Sequence, residues 1–415
     1  MTRFIFATES YGFSADLKSL LTRGPDDYIL LTKDVHHTMP EADLALFSEV
    51  IEVPQFDVPS LLAALERFSG GAAPMRIVSH DDFFYLELAE VSALLGFDYP
   101  SRDAFLPFVD KDVAKQRLRD SGILTPRYRI LDRAKARSSL SRYADELAAD
   151  VGFPMFAKPT QGAGAEHCCL IPDRQRLMEW MECSTRTEVF EIDEYIDDAV
   201  LYHCDSVISG GAAVFTQVAR YSAPCAEFAN GVAVGSYTLP ATDPVSLQLQ
   251  AFAADVMRAL GRHTTVPDGV THLEVFRKSD GRLIFLEVQF RPPGANVKRA
   301  YREHLGVNLE DIHFSLQLGR SLVLPAASGQ HAAWIYFPTP GGIIESLAPL
   351  PPLRSDIIEQ WHGAKPGDSL TRPQSILDAK GRGVVLLSLV IGHDDHATLR
   401  DDFIKLSQFI PYQAV

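Results

Sequence analysis

The chain has 415 residues, of which 46% are hydrophobic and 22% are charged. This balance is typical of a globular protein, and a single hydrophobic core stops growing at about 250 to 300 residues, so we expect two to three domains rather than disorder. Since 54 acidic residues outnumber 39 basic ones, the net charge of −15 repels a phosphate backbone and argues against a nucleic-acid partner.

The sequence contains five cysteines, an odd number, and no C-x-x-C pair, so neither a disulfide framework nor a zinc site is indicated. The first residues, MTRFIFATES, predict a strand, because their apolar stretch is shorter than the core of a secretion signal. The longest apolar run, at 383–392, is well below the ~20 residues of a membrane helix. We therefore predict a cytoplasmic protein with reduced thiols and no membrane partner.

Residues 1–105 alternate short apolar runs with helical patterns. RFIFAT, YILLT, EVIEV and MRIVSH are typical of buried strands, whereas SADLKSLLTRG and VPSLLAALERF have the apolar spacing of helices. The alternation predicts a small parallel α/β layer. We interpret its loop residues, including 9–11 and 81–82, as turn and cap residues. The alternative is a substrate-facing rim, since ligands bind at the carboxyl ends of such strands.

The following segments alternate in type along the chain. Within residues 109–128 we predict a helix capped by Asp110 and ended by Gly122, followed by a strand that is entered at Pro126. Residues 138–150 predict another helix. Between 187 and 218 we expect strands around a turn at Gly210–Gly211, followed by a helix that begins at Pro244. From about residue 320 the pattern predicts further strands, and the run ATLRDDFIKLSQFI predicts a final helix.

The stretch GFPMFAKPTQGAGAEH begins as a buried strand and then changes character. The strand ends in Lys158, and the residues after it carry few side-chain atoms: Gln161, Gly162, Ala163, Gly164 and Ala165. Backbone N–H groups of so bare a loop can close over phosphate oxygens, and a lysine at a strand end, expected to contribute little to the core, adds a positive charge. The stretch is neither a Walker A loop nor a dinucleotide fingerprint, and a plain tight turn is the alternative.

The dipeptide Asp280-Gly281 indicates a hairpin. A turn of two residues places Glu274 directly opposite Glu287, as does a loop of four, whereas a loop of three breaks this pairing. Residues at the alternate positions, Leu286 among them, then point to the other face and are expected in the core.

Two carboxylates that face each other on neighbouring strands are destabilising without a counter-charge. Oxygen donors suit Mg²⁺, which completes its shell with waters and substrate phosphates. Gln289, opposite His272, and Arg291 are expected on the face of the two glutamates, so the hairpin predicts a magnesium site beside a cation. The alternative is an amphipathic hairpin with a solvated polar face.

Four motifs occur in an order that points to one family. They are Asp110-Lys111, then Lys158-Pro159 with the loop 161–165, then Glu194-Tyr195-Ile196, and finally Glu274 with Glu287-x-Gln289-x-Arg291-x-x-Gly294. Over about residues 75–300 this combination resembles the ATP-grasp superfamily, whose carboxylate–amine ligases carry a helix, a lysine strand with a lid loop, a hinge and a metal hairpin of this form. The remainder looks most like the bacterial L-amino-acid (dipeptide) ligases.

The resemblance implies an α/β (α+β) fold of the ATP-grasp type. It has an N-terminal parallel α/β domain, a small lid domain and a C-terminal antiparallel-sheet domain. The boundaries we expect are 1–108 for the N-terminal domain, 109–195 for the lid domain, 196–320 for the large domain with the metal hairpin, and 321–415 for a C-terminal subdomain packed on it.

The resemblance also implies roles for particular residues. Those implied in binding ATP, through its phosphates and adenine, are Lys111, Lys115, Lys158, Gln161, Gly162, Ala163, Gly164, Ala165, Asp193, Glu194, Tyr195, Ile196 and His203. Those implied in holding Mg²⁺, or Mn²⁺ in its place, are Glu274, Glu287 and Gln289. The catalytic residues implied are Lys158 and Arg291, the latter facing the reacting carboxyl group.

The sequence departs from the family pattern at two places. Gln289 replaces the usual asparagine, and the acidic residue expected near 199–201 to meet the ribose is missing. His203 lies in the run Tyr-His-Cys-Asp and is either a ligand contact or half of a buried polar pair with Asp205. The run GHDDHATLRDD has metal-ligand residue types, but we interpret it as a turn with charges that complement a helix dipole.

The function implied is ATP-dependent joining of a carboxylate to an amine through an acyl-phosphate, with release of ADP and phosphate. The implied substrates are small molecules, amino acids first among them, and a homodimer is expected. Two alternatives stay open: an enzyme of the biotin-carboxylase type that phosphorylates bicarbonate, and a regulatory protein that binds a nucleotide without catalysis.

Overall fold

The computed structural model describes residues 2–9, 13–21, 26–33, 39–71, 73–162, 164–183, 188–325, 329–376 and 384–414. Ala163, one of the predicted loop residues, lies outside these ranges. Within them the strands form four sheets. None of the described helices is both long enough and apolar enough to cross a membrane.

The first sheet is parallel and has the strand order β3-β2-β1-β4. Its strands are β1 (Arg3–Thr8), β2 (Asp27–Thr32), β3 (Glu49–Glu52) and β4 (Met75–Ser79). The accompanying helices are α1 (Leu17–Leu21), α2 (Glu41–Leu44), α3 (Val58–Leu65) and α4 (Tyr85–Leu95). An apolar cluster packs on each face of the sheet, and the predicted parallel α/β layer is confirmed.

The second sheet is antiparallel, with the order β5-β8-β6-β7. Its strands are β5 (Tyr128–Ile130), β6 (Met155–Pro159), β7 (Cys169–Ile171) and β8 (Phe190–Glu194). The helices of this region are α5 (Arg102–Val109), α6 (Lys111–Arg119), α7 (Arg133–Ser138), α8 (Leu140–Asp150) and α9 (Arg174–Cys183). As predicted, Asp110 caps α6, because its carboxylate accepts from the N–H groups of Asp112 and Val113 at 2.9 and 3.3 Å.

The third sheet has eight strands in the order β13-β12-β9-β10-β11-β14-β18-β16. They are β9 (Ala199–Ser209), β10 (Ala212–Tyr221), β11 (Val234–Thr238), β12 (Gly269–Lys278), β13 (Leu283–Gln289), β14 (His331–Pro338), β16 (Asp356–His362) and β18 (Val385–His393). A small sheet joins β15 (Gly342–Leu347), β17 (Ser369–Leu370) and β19 (Tyr412–Ala414). The strands of the C-terminal part thus extend the sheet that carries the hairpin.

Helices cover both faces of the third sheet. The core on one face includes side chains of α10 (Pro244–Leu260) and α13 (His396–Ser407). The core on the other includes α11 (Val297–Leu305) and α12 (Leu309–Gln317). The predicted turn at Gly210–Gly211 is confirmed, with φ angles of 60° and 77° that suit a two-residue hairpin.

The hairpin β12–β13 reaches the predicted pairing by a different route. Its loop has three residues, since the N–H of Lys278 donates to the carbonyl oxygen of Arg282. A bulge at Leu286 then adds one residue to β13 and places Glu274 opposite Glu287. Neither loop length that was expected to give this pairing, two residues or four, is present, whereas the pairing of the glutamates is confirmed. Leu286, expected in the core, instead lines the cavity described below.

Gly235 provides a test of the packing of β11 against β14. A Cβ atom at this position would lie 2.1 Å from the carbonyl oxygen of Trp334, so Gly235→Ala forces the strands apart. We expect a loss of about 2 kcal/mol or more in the free energy of unfolding, measured by denaturant titration. The control is Gly71→Ala, where the nearest heavy atom is 3.4 Å away, and equal stability of the two variants would contradict the packing.

Candidate active site

A cavity of about 580 Å³ opens between the first layer, the second sheet and the third sheet. Its size is that of a pocket for a small organic ligand. The predicted residues that line it are Lys158, Gly164, Ala165, Asp193, Glu194, Tyr195, Ile196, Glu274, Glu287, Gln289 and Arg291. Segments that are far apart in the sequence thus meet around one volume.

Two lysines and two carboxylates form a buried cluster where α6 meets the second sheet. The Nζ atom of Lys115 lies 2.6 and 2.7 Å from the two carboxylate oxygens of Asp193 and 3.1 Å from Oε1 of Glu191. The Nζ atom of Lys158 lies 3.3 Å from Glu191 and 3.2 Å from Asp193. Because all four side chains are buried, their charges have to balance one another.

The expectation that Lys158 contributes little to the core is wrong. The residue is 5% exposed, and β8 places Glu191 directly opposite it. Burial alone would lower the pKa of Lys158, but the carboxylates of Asp193 and Glu191 raise it above its usual range. Burial would likewise raise the pKa of Asp193, which the two lysines hold below its usual range. Lys158 is therefore a charged group that is paired with two carboxylates and lines the cavity with a small exposed part.

The two lysines of α6 have different surroundings. Lys115 has no exposed surface, so it acts on a ligand only through its partners in the cluster. Lys111 donates to the carbonyl oxygen of Gly162 at 2.8 Å, and its Nζ atom lies 3.7 Å from Oε2 of Glu287. Together with Gln161 and Gly162 it lines a smaller cavity of about 90 Å³ that shares Glu287 with the larger one. Lys111 thus links the lid loop to the hairpin.

The hairpin presents oxygen atoms to the cavity. Glu274 accepts from the hydroxyl of Tyr221 at 3.0 Å, and Glu287 accepts from Nε2 of Gln289 at 2.9 Å. The Oε1 atom of Gln289 is buried and has no hydrogen-bond partner among the described residues. A buried acceptor without a donor, next to two carboxylates, suits a bound cation such as Mg²⁺.

Arg291 follows the hairpin and is held by the loop after β4. Its Nε atom donates to Oδ2 of Asp82 at 2.9 Å, and its Nη1 atom donates to the carbonyl oxygen of Pro292 at 3.1 Å. The neighbouring Asp81 is 3% exposed and accepts a long hydrogen bond of 3.4 Å from the N–H of Glu9. Burial raises the pKa of Asp81 to about 6. Of the two interpretations of this loop, the geometry favours the substrate-facing rim.

The predicted hinge lines another part of the cavity. The carboxylate of Glu194 is occupied, because it accepts from the N–H and Nε groups of Arg127 at 2.8 and 2.7 Å. The backbone of the hinge, rather than this side chain, is therefore available to a ligand. Asp197 and Asp198 follow the hinge and also line the cavity. The acidic residue that was expected near 199–201 is absent there, but these two carboxylates lie just before that position.

Asp205 lies at the centre of a buried hydrogen-bond network behind the cavity wall. Its Oδ2 atom accepts from Nδ1 of His203 at 2.7 Å and from the hydroxyl of Tyr301 at 2.6 Å. Its Oδ1 atom accepts from Nδ1 of His272 at 2.6 Å. These nitrogen–oxygen distances fit hydrogen bonds and are shorter than the ~3.3 Å between two ligands of one tetrahedral zinc ion with bonds of ~2.0 Å. We conclude that the three side chains bind one another and not a metal.

His203 is not brought to the cavity. It has no exposed surface, and its Nε2 atom lies 2.8 Å from Oγ of Ser236. Ser236 accepts from the indole N–H of Trp334 at 2.8 Å, so its own proton is free for His203. The structure thus supports the buried polar pair of His203 with Asp205 and not the predicted contact with a cofactor.

His272 continues the network to the cavity. Its Nε2 atom lies 3.6 Å from Oε1 of Glu274, and the residue lines the cavity. Burial would lower the pKa of His272, but the carboxylate of Asp205 raises it to about 9. His272 and Tyr221 therefore both lie beside Oε1 of Glu274 and restrain its carboxylate.

Several of these residues were missed in the sequence. Glu191 was missed although it alternates with Asp193 in Phe-Glu-Ile-Asp-Glu, a spacing that places both on the face of a strand. A search for acidic partners of Lys158 would have found it. Nothing local in the sequence indicates Tyr221. Residues 81–82 were considered as a rim, but the pairing of Asp82 with Arg291 was missed, because such contacts depend on how distant elements dock.

No known protein-family profile matches the chain. An L-arginine-specific L-amino acid ligase of Bacillus subtilis is 24% identical over 221 residues, which cover 51% of this chain and 50% of that protein. The match therefore spans about half the length of this curated relative.

Two solved structures are similar over nearly all of the chain. An L-amino acid ligase of Bacillus licheniformis has a TM-score of 0.71 at 12% identity, covering 100% of this chain and 99% of the other. The biotin carboxylase domain of the Hydrogenobacter thermophilus 2-oxoglutarate carboxylase, in complex with ADP, magnesium and bicarbonate, has a TM-score of 0.60 at 12% identity, covering 100% and 90%. At such low sequence identity, the likeness to these structures establishes the fold alone.

Asp205→Asn tests the network behind the cavity wall. The amide keeps the size of the carboxylate but removes the charge that two imidazoles and a phenol share. We expect a loss of about 3 kcal/mol in the free energy of unfolding, measured by denaturant titration. The control is Asp255→Asn, which removes a surface ion pair with Arg258 and should change stability by less than about 1 kcal/mol. Equal effects of the two substitutions would contradict the network.

Proposed function

We propose that this chain, whose fold is that of the ATP-grasp ligases, is an ATP-dependent carboxylate–amine ligase. A substrate carboxylate takes the γ-phosphoryl group of ATP and ADP leaves. The amine of a second substrate then displaces phosphate from the acyl-phosphate, and an amide forms. The observation that carries the proposal is the convergence on one cavity of Lys158, the opposed carboxylates Glu274 and Glu287, and Arg291.

The nucleotide is proposed to lie between the second and third sheets. Lys111 and Lys158 supply positive charge at the triphosphate, and the backbone of Gly164 and Ala165 is accessible because little side chain covers it. The adenine is proposed to meet the hinge at Tyr195. The ADP and magnesium in the similar Hydrogenobacter thermophilus domain support this class of ligand.

Glu274, Glu287 and the free Oε1 atom of Gln289 would hold Mg²⁺, or Mn²⁺ in its place, because all three offer oxygen donors on one face. A bound divalent ion supplies charge stabilisation to the transferring phosphoryl group. Burial would raise the pKa of Glu287, but Lys111 and Lys158 hold it below its usual range. This carboxylate is therefore ionised at neutral pH.

Arg291 is proposed to bind the oxygen atoms of the reacting carboxyl group. Asp82 fixes the guanidinium through Nε, which leaves further N–H groups for a ligand. One carboxyl oxygen gains negative charge when the amine attacks, and a pre-oriented guanidinium stabilises it. Asp81, at the same rim, would accept hydrogen bonds from the amino group of a substrate, since it is buried and lines the cavity, and its hydrogen bond from Glu9 is long.

L-Amino acids are the substrates we propose, joined to form a dipeptide. The likeness to two L-amino acid ligases supports this choice. The test is product analysis by mass spectrometry, using the purified chain with ATP, Mg²⁺ and a mixed pool of L-amino acids. ADP, phosphate and dipeptides are expected. AMP as the coupled product would refute the mechanism, ADP formed with bicarbonate alone would indicate a carboxylase, and nucleotide binding without turnover would indicate a regulator.

Arg291→Lys should lower kcat/KM by about 100-fold or more, although the charge is kept. Only the planar guanidinium binds Asp82 and two substrate oxygens at once. Steady-state ADP release measures the effect. The matched control is Arg258→Lys, at a surface ion pair with Asp255, and activity that is equal in the two variants would remove Arg291 from the mechanism.

The activity should depend on the ionisation of Asp81. Because burial raises the pKa of this carboxyl to about 6 and only the ionised form accepts hydrogen bonds at both oxygens, kcat/KM for the substrate whose amino group it binds should rise with pH through about 6. Asp81→Asn should lower kcat/KM and abolish this rise while the affinity for ADP is unchanged. A pH profile of the variant that keeps the rise would assign it to another group.

A further inference from the structure

The cavity continues well beyond the carboxylates of the hairpin. It is lined on the far side by Trp334 and Tyr336 of β14, which lies four strands from β12 in the third sheet. Neighbouring strands are ~4.8 Å apart, so this compartment reaches roughly 19 Å from the strand of Glu274. That span exceeds the room needed for a phosphoryl group and a reacting carboxyl, and it leaves space for a side chain of the substrate.

The walls of this compartment are mostly apolar. The aromatic rings of Tyr221, Trp334 and Tyr336 line it, together with the aliphatic side chains of Val297 and Ile376. The indole N–H of Trp334 already donates to Ser236.

The hydroxyl of Tyr221 likewise donates to Glu274. Burial raises the pKa of Tyr336 to about 12, so its phenol is neutral. A wall of this kind stabilises apolar groups and offers few hydrogen bonds to polar ones.

One cation stands at the edge of the compartment. Lys298 lines the cavity, and its Nζ atom contacts the buried carboxylate of Glu310 at 2.5 Å. Lys298 and Arg291 suit the carboxylate of a zwitterionic substrate, and Asp81 suits its amino group. Glu227 also lines the cavity, so the two opposite charges favour neither sign, and a charged side chain buried among the rings is disfavoured.

We propose that one of the two substrates is an L-amino acid with a large apolar or aromatic side chain, which binds against Trp334 and Tyr336. This inference rests on the proposed ligase function and adds the side-chain class. The amino and carboxylate groups stay at the rim formed by Asp81, Arg291 and Lys298, and the side chain extends along the third sheet.

The experiment is a matrix of L-amino-acid pairs with the purified full chain, ATP and Mg²⁺, read by ADP release and by mass of the product. Pairs that contain leucine, methionine, phenylalanine or tryptophan should exceed pairs made only of glycine, alanine, arginine or glutamate by at least 10-fold in kcat/KM. ADP release that is as fast with small or charged pairs would overturn this inference and leave the ligase function standing. If no pair of amino acids supported ADP release, both this inference and the proposed ligase function would be overturned.

A pair of variants locates the effect. Tyr336→Ala removes part of the wall and should lower kcat/KM for the preferred large substrate at least 10-fold, with less than a 3-fold change for alanine and unchanged ADP affinity. The matched control is Trp361→Ala on the edge strand β16, an aromatic residue that is 45% exposed and outside the cavity. Equal losses for large and small substrates, or equal effects of the two variants, would contradict the assignment of the compartment.

Discussion

The buried cluster of two lysines and two carboxylates is the interaction on which the rest of the site depends. It joins α6, β6 and β8, which come from three separate segments, and an isolated charge in such surroundings costs several kcal/mol. The charges are satisfied only when α6 docks on the second sheet. Because Lys111 is one helical turn before Lys115, the same docking carries Lys111 to the lid loop and to Glu287. One electrostatic constraint therefore positions two sides of the cavity.

A second set of charges ties the first layer to the third sheet. Glu310 of α12 has no exposed surface and accepts from the N–H of Ser14 at 2.8 Å and from Nδ1 of His80 at 3.1 Å. Burial would raise its pKa, but His80 and Lys298 hold it well below its usual range. Together with the pair of Asp82 and Arg291, this contact fixes the rim against the hairpin. Ionic contacts thus hold together the layers that enclose the cavity. Apolar packing alone would leave these layers free to slide past one another.

The predictable part of the site is the part encoded by local periodicity. Alternation placed His272 and Glu274 on one face of β12 and Glu287 and Gln289 on one face of β13, and the bare loop after β6 followed from its composition. Contacts between distant segments were beyond the sequence, as with Asp82 and Arg291, because they depend on how layers dock. His203 was interpreted both ways, since a polar residue in a strand has the same pattern whether it faces a ligand or a buried partner such as Asp205. The orientation of Leu286 was wrong because a bulge has no signature in alternation.

The three-residue loop and the bulge of the hairpin have a joint consequence for how this chain tolerates changes in length. Each shifts the strand register by one residue, and the two shifts cancel before the strands reach Glu287. A one-residue deletion in the loop leaves the flanking pair of Lys278 with Arg282 in place. A deletion between the loop and Glu287 is absorbed by loss of the bulge, so Glu287 stays opposite Glu274 in both cases. The hairpin can therefore lose one residue without moving its two glutamates, so the unpaired positions separate the length of the chain from the geometry of the site.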